Sequence, residues 1–183
     1  MFKGQFSQSN ANQRQQGFTL VELMVALVIF AVLIGAGVPA LQGLLNTMAS
    51  RTNADQLVTA ISFARQTAVS RGQTVSICAS SDNATCSGST NDWDQGWIIF
   101  VNLDSDLVVD APGDELLRAI DLSSSNGQSA SDTAVIHFNP RGENANNANT
   151  FYVCGADSNT NSARIIQVGN SGSISTRSAT QCS

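Results

Sequence analysis

Hydrophobic and polar positions divide the chain into three zones. The first, "LMVALVIFAVLIGAGV" from Leu23 to Val38, is apolar on every helical face, and no charged residue occurs between Leu23 and Ser50. A helix of that kind belongs in lipid or inside an assembly. With Phe18 to Val21 added, the run approaches the roughly 20 residues that span a hydrocarbon core. From Leu41 to Arg71 the pattern turns amphipathic. Leu57, Ile61, Ala64 and Ala68 recur at helical spacing and Val58 and Val69 widen the stripe, while Arg51, Asp55, Arg65 and Arg71 mark the wet side. One long helix is predicted through both zones, with Gly72 as a C-cap after Arg71. Pro39 removes one N–H and disfavours helix at Val38, so a kink or local melting is expected there.

The third zone holds short β-like runs separated by turn residues: "TVSICA" at 74 to 79, "WIIFVNL" at 97 to 103, "LLRAIDL" at 116 to 122, "AVIHFN" at 134 to 139, "FYVC" at 151 to 154, "RIIQV" at 164 to 168 and "GSISTR" at 172 to 177. The segments between them, such as "SSDNATCSGSTNDWDQG" and "PRGENANNANT", are rich in Asn, Ser and Gly and favour exposed turns. The predicted class is α+β, a long N-terminal helix packed on an antiparallel β-sheet head. No repeat or linker splits the head.

The charges around the apolar run give it an orientation. Lys3 and Arg14 precede it and hold that end cytoplasmic, leaving the head outside. Val38-Pro39-Ala40 loosely resembles a signal-peptidase site, but the apolar run is longer than an ordinary h-region and begins beside an acid, Glu22. A carboxylate near the centre of a membrane helix costs about 2.5 to 3.5 kcal/mol, so a partner cation is expected. The helix supplies none within reach.

At 183 residues, the chain accommodates one domain and an N-terminal segment with a separate task. Only 13% of residues are charged, an extracytoplasmic style of surface. The formal net charge is −5, and loss of a leader carrying Lys3 and Arg14 removes two positive charges and leaves −7. That opposes general attraction to nucleic acid or anionic lipid. Four cysteines, Cys78, Cys86, Cys154 and Cys182, include no C-x-x-C pair, which removes the main support for zinc or thioredoxin-like chemistry. After an export segment they read as disulfides. Three pairings are open; 78 with 86 and 154 with 182 are favoured because each pair brackets a polar, turn-rich stretch.

Catalytic and metal chemistry find little footing. His137, the single histidine, has no G-x-S-x-G elbow to accompany it and reads as structural. Phosphate-loop and dinucleotide fingerprints are absent. Asp104, Asp106, Asp110 and Asp114 raise the question of calcium, but they lack the glycine and distal Glu of a calcium loop and read as a solvated turn. Trp93 and Trp97 read as packing aromatics. No catalytic residue, metal or cofactor is expected.

"GFTLVE" ahead of a long apolar helix resembles the class III leader and N-terminus of type IV pilins and type II secretion pseudopilins. The resemblance implies a cleaved leader at 1–17, a transmembrane and filament-core helix at 18–40, and a head at 41–183. It implies that a prepilin peptidase cuts between Gly17 and Phe18 and methylates the new N-terminus. It also implies that Glu22 pairs with the N-terminal amine of a neighbouring subunit, and that Pro39 falls where the pilin helix carries a proline. Further along, "ARQTAVSRG", "VSIC", "WDQGWIIFVN", "LLR", "FNPRG" and a strand ending in Cys154, with Cys182 near the terminus, resemble the GspH/FimT class of minor pilins and pseudopilins.

The function this implies is a minor pilin-like subunit of the bacterial inner membrane with a periplasmic head. It would join a pilus or pseudopilus, alongside other major and minor pilins, and promote assembly. Two alternatives are a tip subunit of a type II secretion machine and a DNA-binding minor pilin for natural transformation. The DNA-binding relatives carry a Gly-Arg-x-Arg element. Here "GNSGSIST" keeps Gly172 but has Ser173 and Ser175 in place of the arginines, which leaves Arg164 and Arg177, with Arg141, as a possible weak DNA contact.

Overall fold

The computed structural model describes residues 17–104, 106, 108–109, 113–122, 127–155 and 163–179, with side chains at 36–40, 42–43, 46 and 127 left out. The chain forms two compact units, 1–41 and 42–183. Helix α1, Leu20–Arg71, is assigned without a break, through Pro39. Pro39 itself belongs to the side chains left out, and so does the kink expected at it.

In the first unit the described helical residues are exposed on all sides, in keeping with a sequence that has no polar face. In the second, α1 ends as the glycine predicts. Gly72 adopts φ +64°, and the Gln73 N–H donates to the Ala68 carbonyl at 3.3 Å, a Schellman closure of the last turn. Arg71 in that turn pairs with Glu115.

Among the described residues eight strands follow: β1 (Val75–Ala79), β2 (Gly96–Val101), β3 (Glu115–Asp121), β4 (Gly127–Ser131), β5 (Val135–Phe138), β6 (Asn149–Gly155), β7 (Arg164–Val168) and β8 (Ile174–Ser178). They make two antiparallel four-stranded sheets, ordered β3-β2-β1-β5 and β4-β6-β7-β8, where the sequence pattern suggested one. Strand β4, "GQSAS", escapes sequence reading because it has no β-branched or aromatic residue. Its existence rests on the backbone ladder to β6.

One core joins α1 to both sheets. The helix contributes Ala54, Leu57, Ala60, Ile61, Ala64 and Ala68. Val75, Ile77, Ile99, Ile136 and Phe138 face them from the first sheet, and Phe151, Val153, Ile166 and Val168 from the second. Alanines on the helix let the sheets approach closely, and each fully buried Leu, Ile or Phe contributes about 1.5 to 3 kcal/mol. Trp93 lies edge-on to Phe151, with centroids 4.9 Å apart, and its indole N–H donates to Thr133 O at 3.0 Å. Both tryptophans are buried, which places them among packing aromatics.

A clip ties the two sheets together at one end of the head. Arg65 Nε donates to Gly142 O at 2.9 Å and its Nη2 to Ser171 O at 3.4 Å, while Asn144 N–H donates to Asn170 O at 2.9 Å. The turns it joins require glycine. A Cβ on Gly172, at φ +73°, would stand 2.1 Å from Gly142 O and 2.6 Å from Arg65 Nε.

His137 pairs across the ladder with Ser76, whose Oγ lies 2.6 Å from Nδ1, and both are buried. No described carboxylate hydrogen-bonds the ring. Burial pushes its pKa below the ordinary value near 6.5.

Two outcomes follow from this packing. Gly172→Ala should destabilise the head by about 3 kcal/mol or more, the upper end for one substitution. Gly88→Ala shares the positive φ but has open space around it, and should cost only about 1 kcal/mol. Denaturant melts of the two variants make the comparison. For His137 the sign is set by its lowered pKa: below about pH 6.5 the unfolded chain takes up a proton that the native state refuses, so stability falls as pH drops. Between pH 7 and 5, thermal midpoints should fall in the wild type and stay flatter in His137→Asn, which keeps a polar atom near the Nδ1 position.

Candidate processing and assembly site

The N-terminal end of α1 is built from a short stretch with distinct roles. Gly17, Phe18 and Thr19 lie outside the helix in exposed coil, and Phe18 keeps 83% of its surface. A Cβ on Gly17 would meet nothing within 4 Å. Packing among the described residues therefore gives no reason for glycine there. Residues 1–16, including Lys3 and Arg14, lie outside the described residues.

Thr19 is the N-cap. Its carbonyl accepts from Leu23 N–H at 3.2 Å, and its Oγ1 accepts from Glu22 N–H, also at 3.2 Å. The T-x-x-E spacing of a capping box was present in "TLVE", yet the sequence reading singled out only the acid. Glu22 is thus fixed at the third helical position, where a carboxylate suits the positive end of the helix dipole. It is exposed, and no described residue forms an ion pair with it.

Beyond Glu22 the helix presents Leu23, Leu27, Phe30 and Leu33 to the outside, each more than half exposed. An apolar surface of this extent marks a place meant to be covered. Among the described residues no helix is long and apolar enough to cross a membrane; the expected span at 18–40 includes the side chains at 36–40 that are left out.

The cysteines divide between two regions. Cys78 and Cys86 form a disulfide, as the turn-rich stretch between them suggested. Cys154 is disulfide-bonded, whereas its expected partner, Cys182, lies outside the described residues.

The arginines do not assemble. Arg164 lies opposite Ser178 in the ladder and bonds its Oγ at 3.0 Å, on the face of the second sheet shared with Ile166 and Val168. Arg177 lies opposite Ile165, one position along, and so projects from the other face. Arg141 is paired with Glu143 at 2.9 Å. Ser173 and Ser175 are exposed and bring no charge.

Carboxylate oxygens of Asp104, Asp106 and Asp114 come within 4.8 Å of one another, and Asp110 lies outside the described residues. Each of the three accepts a backbone N–H of its own loop, from Asp106, Val108 and Leu103 respectively. That is turn-forming work. A cleft of about 850 Å³ between α1 and β3 is lined by Thr52, Asp55, Gln56, Thr59, Arg118 and Asp121 among others.

Comparison with known proteins agrees with this reading of the two ends of the chain. Residues 12–38 match the prokaryotic N-terminal methylation motif, and residues 53–172 match the family described as Type II transport protein GspH. No curated protein matches the sequence. Among solved structures, the type IV minor pilin FimU of Pseudomonas aeruginosa is similar at a TM-score of 0.52 and 22% identity, over 69% of this chain and 91% of that one. The minor pseudopilin EpsH from the type II secretion system of Vibrio cholerae is similar at 0.50 and 9%, over 70% and 96%. At those identities the likeness speaks to the fold alone, a helix with antiparallel sheets as in pilins. The family match, which spans most of the folded head, goes further: this chain belongs to the GspH family of pilin-like subunits.

Proposed function

We propose that the protein is a minor pilin or pseudopilin subunit that is processed at Gly17–Phe18, anchored in the bacterial inner membrane by its apolar helix, and built into a pilus or pseudopilus, where it promotes assembly by packing rather than by catalysis. The observation that carries the reading is the pairing of an exposed Glu22, without an ion pair among the described residues, with an apolar helix surface exposed on every side. Lipid can cover the apolar side chains, but it cannot satisfy the carboxylate. A neighbouring subunit can do both, by laying its own helix alongside and offering the amine that a prepilin peptidase frees at Phe18. Exposed, non-helical backbone at Gly17 and Phe18 suits such a cut, and a glycine with no packing neighbour among the described residues suits recognition by a protease.

A DNA receptor is the weaker reading. Phosphate binding grows with the number of cations that act together. Arg164 and Arg177 point from opposite faces, and Arg141 is already paired.

Two measurements test the proposal. Mass spectrometry of the mature protein should find an N-terminus at Phe18 carrying one added methyl group; a start at Leu41 would indicate ordinary signal peptidase and overturn the filament role. Glu22→Ala should still enter the membrane, since loss of a charge favours lipid, and its helix should lose only about 0.3 to 1 kcal/mol of dipole stabilisation. Its incorporation into sheared filaments should nonetheless fall several-fold, and incorporation equal to wild type would remove the role assigned to Glu22.

A further inference from the structure

The first sheet carries a second core on the face turned away from α1. Buried there are Cys78 of β1, Ile98 and Phe100 of β2 and Val135 of β5, with Cys86 and Val109 packed against them from the loops. Cys86 belongs to the β1–β2 loop, whose run "SSDNATCSGS" from Ser80 to Ser89 has no apolar side chain larger than alanine apart from that cysteine. Most of the loop's hydrogen bonds are internal: the Asp82 carboxylate accepts from Ser80 Oγ, Ala84 N–H, Thr85 N–H and Thr85 Oγ1. From Ser81 to Ser89, two links reach the sheet itself, the Ser87 N–H to Ala79 O bond at 2.9 Å and the Cys78–Cys86 disulfide.

We propose that this disulfide is a redox-operated clasp: it holds the β1–β2 loop as a cover over an apolar patch of the first sheet, and its reduction by a dithiol uncovers the patch while the main core stays folded. The cores are chemically separate, because the cluster joining α1 to both sheets contains no cysteine. Within the clasp the sulfurs differ in access, Cys78 being fully buried and Cys86 half-buried. A thiolate of the dithiol therefore attacks Cys86 Sγ, forms a mixed disulfide and expels the Cys78 sulfur. The second thiol of the reductant then attacks its own bound sulfur and releases Cys86. Two electrons and two protons pass to the protein, giving two thiols, and the reductant leaves as a disulfide. Cys78 remains as a small apolar thiol, and Ile98, Phe100 and Val135 lose the cover that Cys86 and its loop supply, while Val109 stays against them.

The test uses the full chain and a Cys86→Ala variant in which Cys78 is the thiol left free by the change. Hydrogen exchange should quicken about tenfold at amides of residues 81–89 in the variant, whose Cys154 disulfide is untouched, with α1 amides from Leu57 to Ala68 unchanged. A maleimide should label Cys78 in the variant without denaturant. Slow loop exchange with Cys78 unlabelled would show that the cover holds without its clasp. Faster exchange in α1 as well, or a variant that fails to fold, would make the bond a staple of the whole head. Either result overturns the proposal.

Discussion

Everything in the head depends on one stripe of α1 serving two sheets. Ala54, Ala60, Ala64 and Ala68 are small, so the backbones of both sheets can approach the helix, and Leu57 and Ile61 fill the space between them. Larger residues along that stripe would force the sheets apart, because protein interiors have no spare volume at the scale of a methylene. The two sheets share no ladder. Their mutual placement therefore comes from that common helix, from side-chain packing and from the Arg65 clip at the Gly142 and Gly172 turns.

This arrangement accounts for which parts could be read from the sequence. The helix was legible because its period is strong and its end is marked by Gly72, and seven strands were legible from their Val, Ile and aromatic content. Strand β4 was not, since Gln128, Ser129 and Ala130 earn their conformation from β6 alone. The split into two sheets was hidden for a related reason. Strand patterns report which face is buried, whereas the order of strands depends on pairings between distant residues. Continuous burial along β2, "GWIIFV", did carry a hint, because a strand buried on both faces needs a second layer beyond the helix. That layer is the satellite core under the β1–β2 loop.

The candidate site was legible in its chemistry and not in its geometry. Glu22 stood out as an acid beside an apolar run, but Thr19, the residue that fixes its place in the first turn, drew no notice. Arg65 was read only as a mark of the solvent side, although it bridges turns that are distant in sequence. Arg164 and Arg177 illustrate the same limit. Their joint role assumed a shared surface, and strand alternation with the β7–β8 register separates them. Spacing along one element can be counted from sequence, but register between elements cannot.

The place of the acid in the helix has a physical reason. At the N-terminal end of a helix a carboxylate is stabilised by the dipole and by its cap, so Glu22 costs the isolated helix little. The same charge is expensive once the surrounding apolar side chains are covered, unless a cation arrives with the cover. Under the proposed function, this position makes Glu22 tolerable before assembly and selective during it. A neighbouring helix that aligns its free amine with Glu22 satisfies both terms at once, while a helix shifted along the axis buries an unpaired charge. Apolar contact alone would accept many alignments, since one turn of "LMVALVIF" resembles the next. In the proposed filament the packing supplies adhesion and the single acid supplies register.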